Sequence, residues 1–395
     1  MNKKNGDLVL FWLIVFVAVL NSLKIWLFYF LGIDHALVTA VSFTALGLGI
    51  FIRYGFGLLT GHVLVLINIV LVQLSYSFIA SILKGDFSDF VAASYYFLRF
   101  FIFFSVVQFL SNPCYRRKIL VFFGVILIIS FVHNVMVHPS LLDMSFLEVG
   151  GNIFSANNMG ISRVNGLVGG TVIDYSCILC AIMVVLYSSE AFRYKQGLTV
   201  VLILNVLMNF SRAAIIPLCV ILMFRKSAWS GVIRFILLSG AIFVLFNDPI
   251  GLLTEVISIY QDAFSGSDDL RVAQWSNSME NPLSLVFGNG AGQTTGLLLG
   301  DSRKVVSDSF LMGMIFDSGL LVTGYFCFVV YNCIKTALNA TNWYLFLFAF
   351  ALPLAVNSGF EKMLVALVHG MALSYCCCVS AKGNGEIVPI VRNSP

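Results

Sequence analysis

The sequence predicts an all-α integral membrane protein: a polytopic helical bundle of about twelve crossings, with two larger loops on one face. Three observations predict it. Of its 395 residues 59% are hydrophobic and only 11% charged, against a charged share of about 25% in soluble domains. Apolar runs at 8–31, 37–52, 58–83, 90–110, 120–137, 172–187 and several later stretches are long enough, or nearly so, to cross a bilayer. Basic residues collect in alternate turns between those runs, as they do in loops retained in the cytoplasm.

Taken in order, the first run begins after Lys3 and Lys4, is long and carries no convincing small-residue cleavage site, so it reads as an anchor and not as a cleaved signal. The basic turns follow at Arg53, at Arg116, Arg117 and Lys118, at Arg193 and Lys195, at Arg225 and Lys226, at Lys335, and at Lys382 and Arg392. They fall on one side only if the run 198–224 is split at Asn209-Phe210-Ser211-Arg212 into two short crossings. Both termini are then cytoplasmic. A short pair of this kind is a broken or re-entrant element, tolerated where protein or a wet cavity covers its freed backbone. With that alternation the loops 138–170 and 247–306 and the Ser211-Arg212 turn all face away from the cytoplasm, and the whole chain is one membrane domain with a short polar tail at 381–395.

The loops have their own organisation. In 253–264, Leu253, Ile257, Tyr260 and Phe264 recur at helical spacing, which predicts a helix resting on the membrane interface. A second helix is expected after Asp268 or Asp269, both good N-caps, ending near Asn281-Pro282. Arg271, Trp275 and Ser278 would share one stripe of it. There is no internal repeat and no low-complexity tract.

Several function classes fall away. The net charge of +4 is spread over short loops and is no nucleic-acid signature. The nine cysteines lie in apolar runs or near expected cytoplasmic ends, so a disulfide framework is not expected. Cys177 and Cys180 have the spacing of a metal pair, but their Ile, Leu and Met neighbours favour buried small hydrophobes. The five histidines are scattered, and no cluster has the spacing of a metal site, so neither metal nor cofactor is expected.

What remains is a set of arginines. An arginine stays charged and presents a planar fork of donors, which suits diphosphate oxygens better than lysine does. Arg212 lies between apolar helices, where a charge is expensive and points to function. Arg163 and Arg271, in the loops, read equally as ligand-binding groups or as structural ion pairs. Trp275, one turn from Arg271, would stack on a sugar face or anchor the chain at the interface. In the turn Phe287-Gly288-Asn289-Gly290-Ala291-Gly292 the backbone of Asn289 and Gly290 could approach a phosphate. Asp308, between two serines at the start of a helix, reads as a helix cap or as a catalytic carboxylate. Asp317 reads as a buried hydrogen-bonded residue, and Arg99 as a partner for an acid elsewhere.

The order of these features resembles the O-antigen polymerase (Wzy-type) and O-antigen ligase group of bacterial envelope glycosyltransferases. The matching pieces are Arg163-x-x-Gly166 opening a helix, Asn209-Phe210-Ser211-Arg212-Ala213-Ala214 heading a short one, and Arg271-x-x-x-Trp275 followed by Phe287-Gly288-Asn289-Gly290. The last is Asp308-Ser309-Phe310-Leu311 leading to Asp317-Ser318-Gly319-Leu320. They span about the second half of the chain, while the first five crossings match in hydropathy alone. The ligases carry a histidine before the last helices where this chain has Ser307-Asp308-Ser309, which favours the polymerases.

The resemblance implies a GT-C-like transferase of the bacterial inner membrane, with its active site facing the periplasm. The donor would be a polysaccharide on undecaprenyl diphosphate, and the acceptor one repeat unit on the same lipid. A polysaccharide chain-length regulator and a flippase are the implied partners, besides the membrane lipids. Arg163, Arg212 and Arg271 would bind the diphosphate and stabilise its departure without a metal, with Trp275, Asn289 and Gly290 at the substrate and Asp308 as general base. A ligase, passing glycan to lipid A-core, and a flippase of lipid-linked oligosaccharides are the rival expectations. A flippase would be expected to show repeat symmetry and short loops on both faces.

Overall fold

The computed structural model describes residues 3–59, 61–85, 87–137, 155–158, 161–164, 166, 172–189, 192–209, 211–224, 282–290, 310–335 and 363–383. In chain order the helices are α1 (Lys3–Ser22), α2 (Lys24–Leu31), α3 (His35–Tyr54), α4 (Gly61–Lys84), α5 (Ser88–Leu110) and α6 (Arg116–Val137). A two-stranded hairpin follows, β1 (Ser155–Asn158) against β2 (Ile161–Val164). Then come α7 (Val172–Ser188), α8 (Lys195–Asn209), α9 (Arg212–Phe224), α10 (Pro282–Phe287), α11 (Phe310–Lys335) and α12 (Met363–Gly383). The described residues are overwhelmingly helical, as expected; the hairpin is an addition within the loop expected at 138–170. The helices expected within 253–264 and after Asp268 lie outside the described residues.

Among the described residues six stretches, in α1, α3, α4, α5, α6 and α11, are long and apolar enough to cross a membrane. The outward sides of the early helices carry exposed Phe16, Leu48, Ile52, Val72, Ile79 and Val121, an apolar surface far too continuous for water and suited to lipid chains. The protein is therefore a multi-pass membrane protein. The first expected run is not one rod, because it bends between α1 and α2. Asn21 and Ser22 turn their side chains back onto the carbonyls of Val17 (2.9 Å) and Ala18 (2.8 Å), a local competition that bends helices. Asn21 also donates to Ser42 Oγ (2.8 Å), which fixes the bend to α3.

The bundle is built around α12. From Met363 to Cys377 its residues are buried on every side, against α5 and α7 in particular. A helix apolar all round belongs in such an interior. At one edge of the bundle the early basic turns meet. Arg53 at the end of α3 pairs with Asp7 of α1 (3.2 Å), and Tyr54 donates to the same carboxylate oxygen (2.5 Å). Tyr115 donates to the Asp7 carbonyl (3.3 Å), Lys118 lies 5.2 Å from the Phe11 ring, and Arg116 lies over Tyr375 of α12. Of the turns expected to share the cytoplasmic side, those of Arg53 and of Arg116 to Lys118 are thus neighbours at one edge.

Two elements depart from straight crossings. The break expected at 209–212 is present: α8 ends at Asn209 and α9 opens at Arg212. The chain reverses there, since Asn205 bonds Tyr175 near the start of α7 while Ala213 lies beside Cys180, more than a turn further along the same helix. At about 22 and 20 Å, these two helices fall short of a 30 Å hydrocarbon core. The other departure is α11. Its first and second limbs, 310–318 and 320–335, meet at Gly319, whose φ of 81° and ψ of 168° are not helical. Phe310 and Phe326, which a straight helix would separate by about 24 Å along its axis, have ring centroids 5.7 Å apart. By length and composition α11 is a span; by geometry it is folded back on itself, and its apex faces α10.

Candidate functional site

At the end of the bundle away from the Asp7–Arg53 edge, three helices share a buried amide network. Asn134 of α6 donates to the Tyr175 hydroxyl (3.0 Å) and to Asn205 Oδ1 (2.7 Å), and Tyr175 donates to the same Asn205 oxygen (2.7 Å). The Asn205 amide donates back to the Val201 carbonyl (2.9 Å). Asn134, Tyr175 and Asn205 are all fully buried. Polar groups in so apolar a bundle are costly unless paired, and paired they fix which faces of α6, α7 and α8 meet.

The hairpin rests on this platform. Gly166, at φ 68°, lies against the face of the Tyr175 ring, and a Cβ built on it would overlap that ring. One turn beyond Asn205, Asn209 donates its side-chain amide to the Val164 carbonyl (3.0 Å). The strand β2 is thereby tied to the last residue of α8, three positions before Arg212. Arg163 stands next to Val164 in that strand, paired with Ala156 of β1. Two arginines far apart in the sequence are therefore carried on adjoining backbone. The first turn of α9 adds the partial positive charge of a helix start, with Ser211 accepting from the amides of Ala214 (3.0 Å) and Ile215 (2.9 Å). The side chains of Arg163 and Arg212 lie outside the described residues, as do Arg271, Trp275 and Asp308 altogether.

Asn289 and Gly290 are described, and their backbone amides are engaged within the protein. At the apex of α11 the first limb ends, and the Asn289 amide donates to the Phe316 carbonyl (2.8 Å) and the Gly290 amide to the Asp317 carbonyl (3.0 Å). The Asn289 side chain donates to Phe316 as well (3.2 Å). The N–H groups that the sequence offers to a phosphate are here satisfying helix-end carbonyls. The motifs 287–290 and 317–320 are two halves of one joint. Below it, Ser318 donates to Gln73 of α4 (3.1 Å) and pairs with the Tyr96 hydroxyl of α5 (3.0 Å). Asp317 is buried, as expected.

Arg99 stands one turn from Tyr96 and is only 1% exposed. Its guanidinium lies over three rings, Tyr96 (4.9 Å), Phe100 (5.4 Å) and Phe310 (5.3 Å). An aromatic enclosure between α5 and the first limb of α11 surrounds it. The residues that sequence reasoning missed are Asn134, Tyr175, Asn205, Gln73 and Tyr96. Their signal was isolated polar side chains within apolar runs, the pattern that marks buried pairing or function in membrane helices.

Other expected features take structural places. Cys177 and Cys180 are buried thiols, His133 packs edge-on to Trp26 with ring centroids 5.4 Å apart, and His369 meets the Val365 carbonyl (2.9 Å). Among the described residues no group of three His, Cys, Asp or Glu side chains is placed to hold a metal ion. No protein-family model and no curated protein matches the chain.

Proposed function

We propose that this protein polymerises lipid-linked glycan repeat units on the outer side of a bacterial inner membrane. The growing polysaccharide passes from undecaprenyl diphosphate onto a repeat unit carried by a second undecaprenyl diphosphate. The observation that supports the reading best is the Asn209–Val164 bond, which carries the segments of Arg163 and Arg212 side by side. Two arginine-bearing segments that meet at a helix start suit a diphosphate, whose oxygens accept paired, charge-assisted donors. The site lies at the end of the bundle away from Arg53 and Arg116, which is the periplasmic end if those basic turns are cytoplasmic.

In this mechanism a hydroxyl of the acceptor's terminal sugar attacks the anomeric carbon of the donor chain. The bond from that carbon to the diphosphate oxygen breaks, and the electron pair leaves with undecaprenyl diphosphate. Asp308 takes the hydroxyl proton. Arg163, Arg212 and Arg271 stabilise the charge that develops on the leaving diphosphate, where fixed donors act more strongly in the departing state than on the bound donor. One displacement inverts the donor anomeric centre. Trp275 offers its face to a sugar ring.

The glycan profile of cells lacking the protein tests this. A single repeat unit on the lipid core is the expected outcome. A core carrying no repeat unit identifies a ligase instead, and loss of all lipid-linked glycan from the outer side of the membrane identifies a flippase.

A further inference from the structure

We infer that Asn209, with Tyr175 and Asn205 behind it, is the positioning residue for the diphosphate: it sets the spacing between the Arg163 strand and the Arg212 helix. This rests on reading those arginines as a diphosphate site. The argument is one of support. A four-residue strand in a two-stranded hairpin holds little geometry by itself, and Arg163 sits in such a strand. What fixes β2 is buried and comes from elsewhere. Asn209 is fully buried and donates to the Val164 carbonyl at 3.0 Å. Val164 is itself fully buried and packs with Val137, Met208, Ile25 and Trp26.

The second fixed point is Gly166, seated on the Tyr175 ring, whose hydroxyl is locked to Asn205. Asn205 and Asn209 are one turn apart on α8 and share a face. One face of α8 therefore holds Val164 directly through Asn209, and through Asn205 it locks the Tyr175 ring on which Gly166 rests. The same helix delivers Arg212 three residues later. A diphosphate spanned by two guanidinium forks is sensitive to their separation, because both forks must meet its oxygens at hydrogen-bond distance at once. The motif reading gave Asn209 no task of its own; the structure gives it the task of a ruler.

The test uses the full-length protein in nanodiscs, with native cysteines kept and spin labels placed on genetically encoded reactive residues at Ser162 and Ile216. Wild type should give a narrow distance distribution. Asn209→Leu, which removes the donor and keeps an apolar volume, should broaden it and weaken binding of undecaprenyl diphosphate at least about tenfold, with the amount of folded protein maintained. Tyr175→Phe keeps the ring under Gly166 and removes only the hydroxyl. It should broaden the distribution less, and it remains informative if Asn209→Leu fails to accumulate. An unchanged distribution in both variants overturns the inference, since the spacing would then be set by something else. A broadened distribution with full undecaprenyl diphosphate binding overturns it too, since the spacing would not matter to the ligand. If wild type itself fails to bind undecaprenyl diphosphate, the diphosphate reading falls and takes the inference with it. The distance data would still report whether Asn209 fixes the two segments, so the two failures remain distinct.

Discussion

Cys180 of α7 donates its thiol to the carbonyl of Ala213 (3.2 Å), the carbonyl that Pro217 leaves without a helical partner. Proline inside α9 has no N–H to give to the residue four positions earlier. In a membrane bundle a freed carbonyl has no water to turn to, so a neighbouring side chain must serve it. The thiol is a weak donor but a compact one, which lets α7 and α9 stay close.

A coupling between these positions follows. Cys180→Ala should destabilise the protein by about 0.5–1 kcal/mol, and the cost should shrink in a Pro217→Ala background, where the helix can supply its own amide to Ala213. Unfolding equilibria of the four proteins in a mild detergent measure it. Equal costs in both backgrounds would mean that the thiol only fills space.

The joint between α10 and α11 should be intolerant of side chains. Gly288 and Gly319 both have positive φ, 82° and 81°. A Cβ on Gly288 would overlap the backbone of Asp317 and Ser318, and a Cβ on Gly319 that of Val286 and Phe287. Gly288→Ala and Gly319→Ala each meet about 1–3 kcal/mol of backbone strain and about 1–3 kcal/mol of overpacking. Both should lower the thermal midpoint by several degrees. Gly324→Ala, where a Cβ meets nothing within 4 Å, should not. A pair of alanine variants as stable as wild type would mean that the two limbs of α11 do not fold together in the membrane.

Arg99 should resist replacement by lysine. Its planar group lies over three rings at once, and a desolvated cation–π contact contributes about 2 kcal/mol. A lysine ammonium is a compact point charge that cannot lie flat against the three rings. Arg99→Lys is therefore expected to lose about 1–2 kcal/mol of stability, read as a lowered melting temperature at equal expression. No change would show that the rings do not grip the charge.

How much of this was legible in the sequence depended on the length scale of each signal. Hydropathy runs and basic turns are averaged over twenty residues or more, so the membrane class and the break at 209–212 came through. The fold-back at Gly319 did not, because in composition 310–335 passes for one apolar span; the non-helical Gly319 backbone and the contact of Phe310 with Phe326 reveal the reversal. Likewise, Asn289 and Gly290 read as phosphate-facing because a glycine-rich turn leaves backbone N–H groups unassigned. Their acceptors, Phe316 and Asp317, lie 27 residues away in sequence, beyond any local pattern. The platform of Asn134, Tyr175 and Asn205 left a trace as single polar residues in apolar runs. Their mutual pairing is a property of three helices meeting, which no single run contains.

The proposed chemistry makes its sharpest demand on Arg271 and Asp308. Arg271→Lys keeps the charge and loses the fork, so a diphosphate held by that fork should cost polymer sharply, by about tenfold or more, with protein level unchanged. Arg163→Ala and Arg212→Ala should behave alike, and Arg212→Ala should also lower abundance if its neighbours depend on it. Asp308 separates two roles that the sequence left open. A general base must accept a proton, so Asp308→Asn should abolish transfer while leaving undecaprenyl diphosphate binding nearly intact. A helix cap needs only an acceptor oxygen for a backbone amide, which asparagine supplies about as well as aspartate. Polymer length measured alongside lipid binding distinguishes them: near-normal polymer from Asp308→Asn removes the base from the mechanism and leaves the arginines to act alone on the leaving group.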